Sequence, residues 1–139
     1  MPLATSRPKN GVAASPKNGS FKPAELARYF RLKLAAEWGP HDLKRALEER
    51  REKIFILDVR HREGFRGGHI PGAKNIPFEE LESRLKEIAR ETEVVTYCWN
   101  LTCSLSTQAA ALLSSKGFQA RELSGGVAQW QAAGFAIER

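Results

Sequence analysis

Cysteine is nearly absent from this chain. Of 139 residues only Cys98 and Cys103 are cysteines. They stand five apart, with no histidine and no second cysteine pair at metal-ligand spacing around them, so a structural zinc site is not expected. Two cysteines are also too few to staple a secreted disulfide scaffold, and that scarcity points to a reducing compartment where thiols persist, with cytoplasm as the expected location. Long apolar runs are missing as well. Nothing approaches the ~20 apolar residues needed to cross a bilayer, and the N-terminus lacks the apolar stretch of a signal peptide, so no membrane association and no export are expected. Glycine and proline number only 11 and 7, beside 42% hydrophobic and 27% charged residues, which excludes disorder of the chain as a whole. A chain of this length fits one domain that buries about 70% of the surface exposed when unfolded.

The formal charge of +6 raises the question of a nucleic-acid partner, and the position of the charge answers it. Residues 1–22 carry Arg7, Lys9, Lys17 and Lys22 with no acid, which leaves 18 basic against 16 acidic residues in the remainder. Charges of both signs are interleaved there, as on a solvated surface, so nucleic acid is not an expected partner. Residues 1–22 are rich in Pro, Gly, Ser, Asn and Lys and contain Pro-Lys-Asn-Gly twice, at 8–11 and 16–19. They are expected to form a flexible basic tail, since four-residue strings cannot bury a face against one another as structural repeats do. Residues 23–139 are then the folded domain.

A helical pattern starts at Pro23, with Leu26, Tyr29, Phe30 and Leu34 at helical spacing, and ends before Trp38. Gly39-Pro40 breaks the chain. A second helix follows, with Asp42 at its start and Leu43, Ala46 and Leu47 as its apolar residues, ending by Arg51. Ile54 to Val59 has the length and β-branched content of a buried parallel strand, and a polar Gly-rich loop follows it. Further strands are expected at Asn75-Ile76, Val94 to Tyr97 and Ala120 to Leu123. Further helices are expected over Phe78 to Arg90, Ser104 to Lys116 with Gly117 as its stop, and Val127 to Ala133 with Gly134 as its stop. Strands alternating with helices predict a mostly parallel α/β sheet covered on both faces, in which ligands sit beyond the carboxyl ends of the strands.

Chemistry is therefore sought after Asp58 and after Tyr97. The segment Cys98-Trp99-Asn100-Leu101-Thr102-Cys103 runs from a buried strand to a helix start. If that turn wraps around the Cys98 sulfur, backbone N–H groups and the helix N-terminus face it and favour negative charge. A cysteine so placed has its pKa lowered from about 8.5 to between roughly 3.5 and 7.5, and becomes a thiolate nucleophile.

Several motifs together resemble the rhodanese family. Leu57-Asp58-Val59-Arg60 is similar to its strand-ending Asp-x-Arg signature. Gly68-His69-Ile70-Pro71-Gly72-Ala73 with Asn75-Ile76-Pro77 is similar to its second signature. Cys98 stands at the position of the catalytic cysteine, after Val-Val-Thr-Tyr, and Gly125-Gly126, Trp130 and Gly134-Phe135 resemble the closing segment. The resemblance spans about Trp38 to Phe135. It implies a rhodanese-like three-layer sandwich, a five-stranded parallel sheet with helices on both faces. It also makes Leu34 to Trp38 a short edge strand, where periodicity alone continues the helix. In function it implies a sulfurtransferase: the Cys98 thiolate takes the outer sulfur of thiosulfate or a persulfide and becomes a persulfide, and a small-molecule thiol, a protein thiol or cyanide then removes that sulfur. The turn 98–103 would bind the donor through its N–H groups, and no metal or organic cofactor is required.

The match departs from the family at Cys103, where many members carry Arg. The turn is then uncharged, so thiosulfate binding would rest on backbone dipoles and on Arg60, Arg62 or Arg66, and weak thiosulfate affinity is expected. Two roles are open to Cys103. It could attack the Cys98 persulfide, release sulfide and form a disulfide, or protect Cys98 from overoxidation; alternatively it is a small apolar residue at the helix start. The apolar role is preferred, because a separation of five residues does not say whether the sulfurs reach bonding distance. Trp99 is expected to pack the turn in place, Asp58 and Arg60 to support it by hydrogen bonding and charge pairing, His69 to be structural and Trp130 to be core. The alternatives to sulfur transfer are a non-enzymatic interaction module on the same fold, and a cysteine phosphatase or arsenate reductase. The last two would need an Arg closing the cysteine turn.

Overall fold

The computed structural model describes residues 19–139; the expected tail lies mostly outside them, as do both Pro-Lys-Asn-Gly strings apart from Gly19. The elements alternate as periodicity predicts: α1 (Pro23–Ala36), β1 (Glu37–Trp38), α2 (Pro40–Arg50), β2 (Ile54–Asp58), α3 (Arg62–Gly67), β3 (Lys74–Asn75), α4 (Phe78–Leu81), β4 (Glu93–Tyr97), α5 (Leu105–Ser115), β5 (Gln119–Leu123) and α6 (Gly126–Ala132). The five strands form one sheet in the order β1-β5-β4-β2-β3, and every pairing is parallel. Parallel neighbours need crossover connections, and the intervening helices supply them.

Alternation along the central strands sorts the core into two layers. Leu57 and Val94 pack with Leu81, Ala109, Leu112 and Leu113, so α4 and α5 cover one face. Ile56 and Val95 pack with Leu43, Val127 and Trp130, so α2 and α6 cover the other. Side chains opposite in register, such as Ile56 and Val95, share a face because successive residues of a strand point to opposite sides. Each fully buried Leu or Ile contributes about 1.5–3 kcal/mol, so both faces are needed to hold the sheet.

Three sequence expectations are corrected. The loop after β2 contains a helix, α3, too short at six residues for an amphipathic period to show. The helix expected over Phe78 to Arg90 is α for one turn only and continues as a 3₁₀ segment over Glu82–Glu87, with Arg84 outside helical geometry. The edge strand implied over Leu34 to Trp38 is just Glu37–Trp38, and α1 runs to Ala36; periodicity holds through Ala36 and the resemblance holds for the last two residues. No residue of α1 is buried, so Leu26, Tyr29, Phe30 and Leu34, which announced the helix, do not pack into the sheet. The helix is tied to the domain at its end, where Arg121 donates to the Ala35 carbonyl at 2.5 Å and Lys33 pairs with Glu37.

The 3₁₀ segment is held by charge. Arg84 bridges Glu87 and Glu80, Lys74 reaches Glu87 at 3.0 Å, and Arg62 meets Glu80 at 2.6 Å. Hydrogen bonds from Arg84, and then from Lys74, lower the Glu87 pKa to about 2. A depressed carboxylate stabilises the fold above its unfolded pKa of about 4.3, and this contribution fades as pH falls towards 2. Between those limits the melting temperature of Glu87→Gln is expected to vary less steeply with pH than that of the wild type. Parallel curves would show that Glu87 does not couple folding to protons.

Candidate active site

Asp58 ends β2, Tyr97 ends β4, and the two are register partners, so Arg60 and Cys98 leave the sheet side by side at its carboxyl edge. Asp58 is fully buried and Arg60 is 1% exposed. The Arg60 Nε lies 3.1 Å from both Asp58 carboxylate oxygens and its Nη2 is 2.6 Å from Oδ2, while the Arg60 N–H donates to Oδ1 at 2.9 Å. Nη2 also donates to the Gly68 carbonyl at 2.8 Å, and the Asn75 amide donates to the carbonyls of Asp58 and Arg60. Burial works against the guanidinium charge, but the hydrogen bonds and charge of Asp58 outweigh it and the Arg60 pKa is raised. Tyr97 is buried beside the pair. Its hydroxyl accepts the Ile70 N–H at 3.1 Å, and burial, then the Asp58 charge, push its pKa up.

Above this pair sits the cysteine turn. Cys98 is 1% exposed and packs with the α4–α5 face of the core. Its carbonyl accepts the Val127 N–H, and the Trp99 carbonyl accepts the Ala128 N–H, both at 3.0 Å. The first amides of α6 thus clamp the start of the turn. Gly126 makes this possible: its φ is +58°, and a Cβ there would lie 2.3 Å from the Cys98 oxygen. Trp99 stands half-exposed, with the Arg60 guanidinium 4.4 Å from its ring centroid and Gly64 close beneath, where a Cβ would come within 2.6 Å of the ring. Trp99 packs the turn as expected, by stacking on a cation and a bare backbone.

Asn100 shapes the rest of the turn. Its Oδ1 accepts the Thr102 N–H at 3.1 Å and the Thr102 hydroxyl at 2.8 Å, and its carbonyl accepts the Cys103 N–H at 3.3 Å. In this disulfide-bonded state two of the turn's amides, those of Thr102 and Cys103, serve Asn100. The α5 start is tied down separately, by the Thr96 hydroxyl donating to the Ser106 carbonyl and by Ser106 and Thr107 donating to the Glu122 carboxylate.

Cys98 and Cys103 are joined in a disulfide, with Cα atoms 6.4 Å apart. Neither cysteine is free. The reading of two free thiols is corrected; Cys103 packs partly buried against the α4–α5 core as an apolar residue and is bonded to Cys98 as well. The turn brings the sulfurs together because Asn100 folds residues 100–103 back on themselves. Leu101 is 73% exposed and points out of the turn. A cavity of about 240 Å³ opens beside Cys103, walled by Lys33 of α1, Glu37 of β1, Glu122 of β5 and Ser124 just beyond it.

The supporting residues also differ in detail. The Asp58 carboxylate is held by Arg60 rather than by the cysteine turn's amides. Arg62, considered for donor binding, forms a two-point pair with Glu80, and Arg66 is exposed on α3. His69 is structural: its Nδ1 lies 2.8 Å from the Phe65 carbonyl, and its ring stacks on Phe65 at 3.7 Å. Trp130 is core, 2% exposed, and donates to the Ala136 carbonyl at 2.8 Å. Sequence reasoning missed the roles of Gly126, Thr96 and Glu122. A glycine pair directly between a strand and a helix signals a tight approach for Gly126; no local pattern announces the other two.

The model of the rhodanese-like domain matches residues 39–133. This chain belongs to the rhodanese-like family. Its rhodanese-like domain is 35% identical over 94 residues to the HTH-type transcriptional regulator Rv0324 of Mycobacterium tuberculosis, a match covering 66% of this chain and 42% of the regulator. It is 31% identical over 87 residues to a sulfurtransferase of Allochromatium vinosum, covering 62% of this chain and 79% of that protein. The crystal structure of the BH2092 protein from Bacillus halodurans superposes with a TM-score of 0.74 at 34% identity, over 84% of this chain and 86% of that one. The rhodanese-like fold is therefore shared over nearly the whole described chain, whereas the chain spans less than half of the regulator's length. Among the described residues no helix is long and apolar enough to cross a membrane.

Proposed function

We propose that this domain is a sulfurtransferase in which Cys98 carries the transferred sulfur as a persulfide. One observation bears the proposal: Cys98, within the matched family region, leaves β4 at the carboxyl edge of the sheet in a turn braced by α6 and by the Asp58–Arg60 pair. Relatives named as sulfurtransferases support the reaction class. Once the disulfide is reduced, the Cys98 thiolate attacks the outer sulfur of the donor. The donor's S–S bond breaks and its remainder leaves as sulfite or a thiol. An acceptor thiol then attacks the outer sulfur of the Cys98 persulfide and regenerates the thiolate.

The experiment is uptake of sulfur by the reduced full chain, followed by intact-protein mass spectrometry with wild type and Cys98→Ser. The wild type is expected to take sulfur from the donor, whether held on the protein or released as sulfide, and Cys98→Ser to do neither; equal uptake and release by both would overturn the assignment of the nucleophile.

The charge distribution also bears on the donor. The turn from Trp99 to Ser104 holds no charged side chain, Arg60 is occupied by Asp58 and Arg62 by Glu80. A dianion meets little unpaired positive charge, so kcat/KM for glutathione persulfide is expected to exceed that for thiosulfate by about tenfold or more. Equal values would place a cation at the turn. The same arrangement disfavours phosphatase chemistry, which needs a guanidinium on the oxyanion. The regulator among the relatives favours a second reading, a sensing or interaction module without turnover. A chain that neither holds the donor's sulfur nor releases it as sulfide would support it.

A further inference from the structure

Cys103 is not a feature the sulfur-transfer cycle needs, yet the fold delivers its sulfur to Cys98. Three observations concern it. The two sulfurs are bonded across the turn. Cys98 is 1% exposed, whereas Cys103 is only partly buried and lies on the wall of the polar cavity beside α1. The backbone between them is also folded by Asn100, through its side-chain and carbonyl hydrogen bonds to Thr102 and Cys103, contacts that stand beside the covalent bond.

We propose that Cys103 is a resolving thiol, which gives the domain a further activity: release of the bound sulfur as sulfide, driven by thiol reductants. The inference rests on Cys98 persulfide formation. The Cys103 thiolate attacks the Cys98 Sγ of the persulfide. A bond forms between the two Sγ atoms, the bond from Cys98 Sγ to the outer sulfur breaks, and the outer sulfur leaves with that electron pair as hydrosulfide, taking the proton Cys103 gave up. The product is the disulfide seen in the structure. Its return to the dithiol consumes two electrons, supplied by a dithiol or by two monothiols. Cys103, the less buried of the two cysteines and a lining residue of the cavity with Lys33, Glu37 and Glu122, is the point of attack. A reductant thiolate bonds to it, Cys98 departs as a thiolate, and a second thiol displaces Cys103 as a mixed disulfide resolves. The buried nucleophile is thus returned without any reductant having to reach it.

The test uses the full chain, reduced and desalted anaerobically, with one equivalent of glutathione persulfide and no other thiol. Wild type, Cys103→Ser and Cys103→Ala are followed by sulfide release, intact mass and peptide mapping. The wild type is expected to release about one equivalent of sulfide and to end with Cys98 and Cys103 in one disulfide-linked peptide. Both variants are expected to stay one sulfur atom heavier at Cys98 and to release sulfide only when dithiothreitol is added. Stable persulfide on the wild type, lasting as long as on the variants and with Cys103 still alkylatable, would overturn the resolving role alone. No sulfur uptake by any of the three proteins would overturn the sulfur-transfer reading and this one with it.

Discussion

Replacing Asp58 with alanine is expected to remove about 3–5 kcal/mol of folding stability, read from the shift of the urea midpoint. The Arg60 guanidinium is 1% exposed and would keep its charge after losing the carboxylate that meets it at Nε and Nη2. Desolvation of a charge without its partner is what makes this loss large. Against a total of about 5–15 kcal/mol for a domain of this kind, much of the protein would be unfolded in mild denaturant. The double substitution Asp58→Ala with Arg60→Met is expected to recover part of the loss, because it removes the stranded charge. The Gly68 carbonyl would then lose its donor, and recovery stays incomplete. Asp58→Ala at the wild-type midpoint would show that the pair does not hold the sheet edge together.

Gly126→Ala is expected to cost about 2–5 kcal/mol, by two routes that can be separated. An L-residue at φ +58° carries backbone strain of about 1–2 kcal/mol. The added methyl would also stand 2.3 Å from the Cys98 oxygen and 2.9 Å from the Trp99 carbonyl carbon, and forcing backbone apart costs about 1–3 kcal/mol more. Gly134→Ala separates the two, since Gly134 has φ +86° but nothing lies within 4 Å of the place its methyl would take; it should show the strain alone. The Gly126 variant should further alter Trp99 fluorescence and slow alkylation or sulfur loading of reduced Cys98, because α6 would release the carbonyls it clamps. Equal losses in the two glycine variants, with Trp99 unchanged, would show that close packing against the turn carries no weight.

Much of this site could be read from residues in order. The buried strand Glu93–Tyr97, the helix Leu105–Ser115 and the turn between them follow from an apolar run, a helical period and the polar gap separating them. Cys98 stood out as the proposed nucleophile because it follows the strand directly. Asp58 and Arg60 were legible as supporting residues but not as each other's partner, since a carboxylate at a strand end has many donors within reach. α3 was missed because six residues are too few to display a period. The segment Glu82–Glu87 was read as α because Leu85 and the Ile88 that follows it suit either geometry; in the structure it is 3₁₀, with Arg84 paired to Glu80 and Glu87.

From the order of residues alone come the alternation of strand and helix, the parallel sheet and the placement of a cysteine at its carboxyl edge, because these depend on neighbours a few positions away whose burial pattern repeats. Tertiary structure alone decided that Cys103 meets Cys98, that Arg60 is buried under Trp99, and that α1 leaves its apolar stripe outside the core. The physical reason lies at the two ends of the turn: its start is held by amides of α6 some thirty residues downstream, and the helix that follows it by Glu122 on a neighbouring strand. Whether two sulfurs five positions apart can touch depends on those distant contacts together with the local fold that Asn100 imposes, and no local pattern encodes the distant part.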